Sequence, residues 1–192
     1  MSFVLGLLVC HGARMTVFFG DRRRFAVEVG DWAGPAVRRV DLWAADQWLT
    51  CDDNMAFVPQ FRVAVADSAD RLRTGHGAPL PFAGLSAVAT HRRLVAGTGQ
   101  EEHDDLLRRR FRIFDRWGPT TDNLTAFVFR DGDRLDFTWQ FWREEHLRNH
   151  PEHVGTYFTL EIQAAEVVAV LDDLVEVLDR GGGRLLSGDG VA

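Results

Sequence analysis

The stretch "LTAFVFRDGDRLDFTWQFW", residues 124–142, constrains the fold more than any other part of the chain. Two runs rich in aromatic and β-branched residues flank Asp131-Gly132, the strongest local hairpin signal present. A second extended region opens the chain: residues 16–19, TVFF, and 25–29, FAVEV, are separated by "GD" turn chemistry. "VRRVDLWA" and "QWLTC" form a further extended pair, with Ala45 and Asp46 as a short hairpin loop.

Between these β regions the hydrophobic period changes. Phe61, Val65, Ala69 and Leu72 recur at helical spacing and Pro59 suits a first turn, which predicts a helix over 58–73. "TGHGAPLP" breaks it, and "FAGLSAVATHRRLVAG" reads as a second helix closing at Gly97. Glu101 to Trp117 is a third, with Leu107, Phe111 and Phe114 on one face. A last extended run, "GTYFTLEI", leads into a helix whose stripe is Val167, Leu171, Leu174 and Leu178, ended by Gly181 to Gly183.

The expected class is therefore α+β: an antiparallel or mixed sheet from N-terminal and C-terminal strands, covered by three middle helices and a C-terminal helix. With 192 residues, 46% of them hydrophobic, the chain suits one substantial core, placed at residues 15–180 as a single domain. The first 14 residues read as an extension, with the start open between Met1 and Met15, where a clean strand pattern begins, and 181–192 as a flexible tail. No apolar run approaches the ~18 residues of a membrane span, so no membrane association is expected.

Every one of the 22 basic residues is arginine, and 28 acidic residues leave a net charge of −6. That balance argues against a nucleic-acid partner and suits a basic protein partner. The clusters Arg22–Arg24 and Arg108–Arg110 read as solvated faces. Cys10 and Cys51 match neither a zinc spacing nor a disulfide framework, so a reducing cytoplasm is the expected location.

"QWLTCDDNMAFVPQF" offers the most polar chemistry. Cys51 as a nucleophile needs a base and a group to orient it, and no histidine stands in a recognisable cysteine-hydrolase signature; a small buried filler is the simpler role. Asp52, Asp53 and Asn54 lack the alternating ligands and later bidentate glutamate of a calcium loop. They read instead as a turn that caps the entry to the first helix, with carboxylates open to recognition beside Trp43 and Trp48. In "REEHLRNHPEH", His146 and His150 fall four apart and His153 follows, but Pro151 limits a helix and the glutamates lie outside the pair. A polar loop is expected there, with no metal assigned.

Trp139 and Trp142 have opposite strand parity, so at most one joins the core. No phosphate loop, dinucleotide fingerprint, nucleophile elbow or metalloprotease helix occurs, and neither a catalytic residue nor a cofactor is assigned.

"VFFGDRRRFAVEV" and "LTCDDNMAFVPQF" resemble the immunity protein 42 family of bacterial polymorphic toxin systems. The closest match is Phe19, Gly20, Asp21 and Phe25 to Val29, the second the "TCDDN" turn, and the likeness spans about residues 15–180. The resemblance implies a small cytoplasmic protein that binds and neutralises a cognate toxin domain without catalysis. The surface residues selected for that contact are Asp41, Trp43, Trp48, Asp52 and Asp53. Two other readings stay open: an oligomeric structural or regulatory adaptor using spare tryptophans, and an enzyme built on the Asp52/Asp53 turn.

Overall fold

The computed structural model describes the backbone of residues 7–11 and 14–182 and the side chains of 16–180. The expected tail from 183 onward, and residues 1–6 and 12–13 of the expected extension, lie outside the described residues. The class is α+β and every strand pairing among the described residues is antiparallel. The strands divide into two sheets rather than one. The first runs β1 (Leu7–His11), β2 (Arg14–Gly20), β3 (Phe25–Trp32), β4 (Val37–Ala44) and β5 (Gln47–Trp48), with β6 (Met55–Phe57) sharing the β5 edge of β4. The second is β7 (Leu124–Asp131), β8 (Arg134–Phe141) and β9 (Phe158–Gln163).

Turn chemistry fixes the registers. Ala45 and Asp46 both adopt left-handed backbone, at φ 47° and 62°, the conformation a two-residue type I′ hairpin demands, and so Trp43 faces Trp48 across β4 and β5. In the second sheet Gly132, at φ 60°, begins the two-residue loop that pairs Asp131 with Arg134. The β2–β3 turn needs Gly20 for a second reason besides its φ of 82°: a Cβ there would lie 2.2 Å from the Phe25 carbonyl oxygen.

α1 (Val58–Arg73) and α5 (Ala164–Gly182) pack against each other and line the inner face of the first sheet. Two arginine clamps join them: Arg62 to Asp179, and Arg73 to both oxygens of Asp172 at 2.8 and 2.9 Å. The main core draws on both sheets and both helices, from Phe19 to Leu178. Phe25 of β3 stacks near Phe114 and Phe137, with ring centroids 6.2 and 6.5 Å apart. A smaller cluster on the other face of the second sheet unites Phe111, Phe127 and Phe129 with Leu94 of α2 (Ala87–Ala96). Trp139 is buried and Trp142, just past the end of β8, is exposed, so one of the pair joins the core as expected.

Two helices are shorter than the sequence pattern implies. α2 begins at Ala87 because the Ser86 hydroxyl accepts from the Ala89 N–H at 3.2 Å and so caps the helix there. α3 (Glu101–Arg109) stops eight residues before Trp117. Beyond it the chain bonds the edge of β7, through Ile113 N–H to Ala126 C=O at 3.2 Å and Val128 N–H to Phe111 C=O at 2.8 Å. Phe114 then turns with φ 69°, which a helix interior excludes. Phe111 enters the smaller core while Ile113, Phe114 and Trp117 enter the larger one, so their helix-like spacing comes from two separate burials.

Each arginine cluster has a member tied back to the fold. Arg24 makes a two-pronged pair with Glu166 at 2.8 and 2.7 Å, and the Arg108 Nε donates to the Leu94 carbonyl at the end of α2 at 2.7 Å.

Candidate functional site

Strand alternation on β4 sends Val40, Leu42 and Ala44 into the core and leaves Val37, Arg39, Asp41 and Trp43 on the outer face. Pairing then adds Glu28 from β3 opposite Asp41, Trp48 opposite Trp43, and Met55 and Phe57 opposite Arg39 and Val37. Trp48, Met55 and Phe57 are exposed at 38%, 43% and 51%.

The Trp43 and Trp48 rings stack with centroids 5.7 Å apart, and the Arg22 guanidinium lies 4.3 Å over Trp43. Glu28 bridges Arg22 and Arg39 at 2.8 and 2.9 Å. Asp41 lies beneath this surface, 4% exposed, where its Oδ1 accepts from the Trp48 indole N–H at 3.0 Å and the Asn54 amide at 2.7 Å. Burial raises the Asp41 carboxyl above its ordinary pKa, while Asn54, Arg39 and Trp48 oppose that shift. Asp41 therefore positions Trp48 and Asn54 and is not itself open to a partner.

The "TCDDN" turn does something other than cap a helix. β6 separates it from α1, whose N-cap is Phe57 with no side-chain cap bond. Asp53 accepts from the Met55 N–H at 2.9 Å and so closes a local turn that launches β6. Asp53→Ala is expected to lower stability by about 0.5–1.5 kcal/mol, measured by urea unfolding, because that bond is lost.

Asp52 turns the other way. Its residue is exposed overall, but its side chain is only 19% exposed and its Oδ1 lies 3.1 Å from Nδ1 of His146. The segment expected as a polar loop is α4 (Glu144–Asn149) followed by a 3-10 turn over Pro151–His153. This corrects the loop expectation: His146 is 1% exposed because its ring stacks on Phe141, centroids 4.2 Å apart, at the end of β8. Cys51 Sγ lies 3.5 Å from the same Nδ1, and His146 Nε2 lies 2.8 Å from Nδ1 of His153. The Asn123 amide points at Cys51 Sγ from 3.8 Å. Burial and the neighbouring Asp52 charge push the Cys51 thiol up to about 11, the reverse of what an activated nucleophile needs.

Of the five residues selected from sequence, Trp43, Trp48 and the buried Asp41 form one connected group on the outer face, while Asp52 and Asp53 serve the turn beside it. Glu28, Arg39, Met55 and Phe57 were missed although strand alternation places them there. The His146 contacts had no local signal.

No protein-family model and no curated protein matches this chain. Among solved structures, the fold is similar to that of CdiI from Burkholderia dolosa AUO158. The TM-score is 0.52 at 9% sequence identity, over 83% of this chain and 99% of that one, so the likeness is one of fold.

Proposed function

We propose that the chain is an immunity protein that binds and neutralises a cognate toxin domain by protein–protein contact, without catalysis, and that the outer face of the first sheet makes the contact. The observation that carries this reading is the open aromatic and charged face itself: the stacked Trp43 and Trp48, the exposed Met55 and Phe57, and the Glu28–Arg22–Arg39 network. Aromatic anchors within a charged surround are the composition of interface hot spots. The fold likeness to CdiI, a contact-dependent inhibition immunity protein, supports the same class. The finer assignment, to the immunity protein 42 family and a cytoplasmic site of action, rests on the "VFFGDRRRFAVEV" and "LTCDDNMAFVPQF" segments.

The test is survival: the C-terminal domain of the adjacent large secreted protein is expressed in a sensitive host with and without this chain. Rescue is expected; toxicity that persists beside soluble chain overturns the pairing. Within a rescued pair, Trp43→Ala with Trp48→Ala is expected to weaken binding by at least about 2 kcal/mol, roughly thirtyfold, with unchanged circular dichroism. Trp142→Ala serves as the control, since Trp142 is exposed but lies just past β8 in the second sheet. Equal affinity in the double variant would place the contact elsewhere. The same face could instead pair two copies, and light scattering of the isolated chain over a concentration series separates that case, because the immunity reading expects no growth in mass.

A further inference from the structure

We propose that Cys51, Asp52 and His146 form a site for one divalent ion of the zinc class. Their ligand atoms Sγ, a carboxylate oxygen and a ring nitrogen all lie within 4.8 Å of one another. The two separations that involve His146 Nδ1 agree with coordination around a shared centre. A tetrahedral zinc with Zn–S of about 2.3 Å and Zn–N or Zn–O of about 2.0 Å sets S···N near about 3.5 Å and N···O near about 3.3 Å. Here Cys51 Sγ to His146 Nδ1 is 3.5 Å and His146 Nδ1 to Asp52 Oδ1 is 3.1 Å.

The surroundings of the three groups are those of a metal site. A ligating histidine usually gives its second ring N–H to an acceptor that fixes its tautomer and orientation. His146 Nε2 meets His153 Nδ1 at 2.8 Å, and His153 Nε2 in turn lies 3.9 Å from Glu152. The His146 ring packs against the Phe141, His150 and His153 rings, which leaves Nδ1 aimed at the turn. The Asn123 amide, anchored on the Leu49 carbonyl at 3.0 Å, directs its N–H toward the sulfur that would carry thiolate charge. One thiolate, one imidazole and one carboxylate is a borderline-soft set that favours zinc over calcium or magnesium. Cys51 is half-buried and the Asp52 side chain 19% exposed, so solvent reaches the edge of the site.

Such an ion would tie the 49–54 turn of the first sheet to α4 and the end of β8, two regions about ninety positions apart in the sequence, and release the Cys51 proton on binding. This inference stands apart from the toxin-binding reading, because it concerns the isolated chain.

The experiment is cobalt titration of the full, reduced chain, with zinc as competitor. The expected result is one equivalent bound, with tetrahedral d–d absorption, a sulfur-to-cobalt charge-transfer band, displacement by zinc, and a higher Tm with zinc. Cys51→Ala removes the charge-transfer band and Cys10→Ala retains it. Asp52→Asn, at a partly exposed side chain whose replacement spares the fold, weakens binding. His153→Phe keeps the ring stack and costs about 10–100-fold in affinity. His103→Ala, at an exposed position of α3, leaves the spectrum unchanged, which separates this site from adventitious binding by an exposed histidine. No charge-transfer band in the parent chain, a band that survives Cys51→Ala, or affinity unaffected by Asp52→Asn each overturns the proposal.

Discussion

Replacing Trp117 by alanine is expected to cost about 3–5 kcal/mol of stability, the range for removing a fully buried large aromatic side chain. Trp117 is 2% exposed and sits in a T-shaped contact with Phe61, centroids 5.4 Å apart, and beside Phe114 at 4.7 Å. Its indole N–H donates to the Ser68 hydroxyl on α1 at 2.9 Å, and that hydroxyl bonds the Ala64 carbonyl in turn. The variant therefore opens a cavity between α1 and the 110–117 segment and deprives Ser68 of its donor. Urea unfolding followed by circular dichroism reads the loss; Trp142→Ala, at an exposed site, is expected to stay within about 0.5 kcal/mol. Equal effects in the two variants would mean that the 110–117 segment is not packed as described.

The second large effect is in acid. His91 on α2 is fully buried behind the second sheet, between Phe127 at 4.7 Å and Tyr157 at 5.0 Å. Its Nδ1 pairs with the Thr138 hydroxyl at 2.8 Å, and its buried Nε2 has no protein partner among the described residues. Burial is the cause that lowers its pKa to about 4, opposed by the contact with Thr138. An unfolded histidine titrates near about 6.5, so between those values the unfolded chain binds the proton and the folded chain does not. The neutral-histidine contribution is thus fully present above about pH 6.5 and is lost as pH falls toward 4, a total on the order of 3 kcal/mol at about 1.4 kcal/mol per pH unit. His91→Gln retains an amide for Thr138 and does not titrate, so its stability is expected to vary less over that window than the parent's. Stability profiles from urea unfolding at steps between pH 7 and 4 check this, and parallel profiles would show that His91 is not the responsible group. His76 and His153, also lowered by burial, keep some acid sensitivity in the variant.

Much of the outer face could be read without coordinates. "VRRVDLWA" alternates strictly enough to put Asp41 and Trp43 on one side, and the Ala45-Asp46 turn pairs Trp43 with Trp48. What alternation does not reveal is depth: Asp41 shares the face yet is buried, because Trp48 and Asn54 close over it. The helix expected to reach Trp117 failed for a different reason. Apolar residues at helical spacing look alike whether one groove buries them all or, as with Phe111 and Phe114, two cores divide them.

The sequence by itself determined the α+β class, the antiparallel hairpins at Ala45-Asp46 and near Asp131-Gly132, and the limits of α1, because each follows from turn geometry or from a repeat only a few residues long. Only the tertiary structure decided that the strands form two sheets and that His146 meets Cys51 and Asp52. Those groups lie on separate elements, and what brings them within 3.5 Å is the stacking of His146 on Phe141 at the end of β8 beside the turn that follows β5. Burial energy of that kind depends on how whole elements fit together, and no local pattern of residues records it.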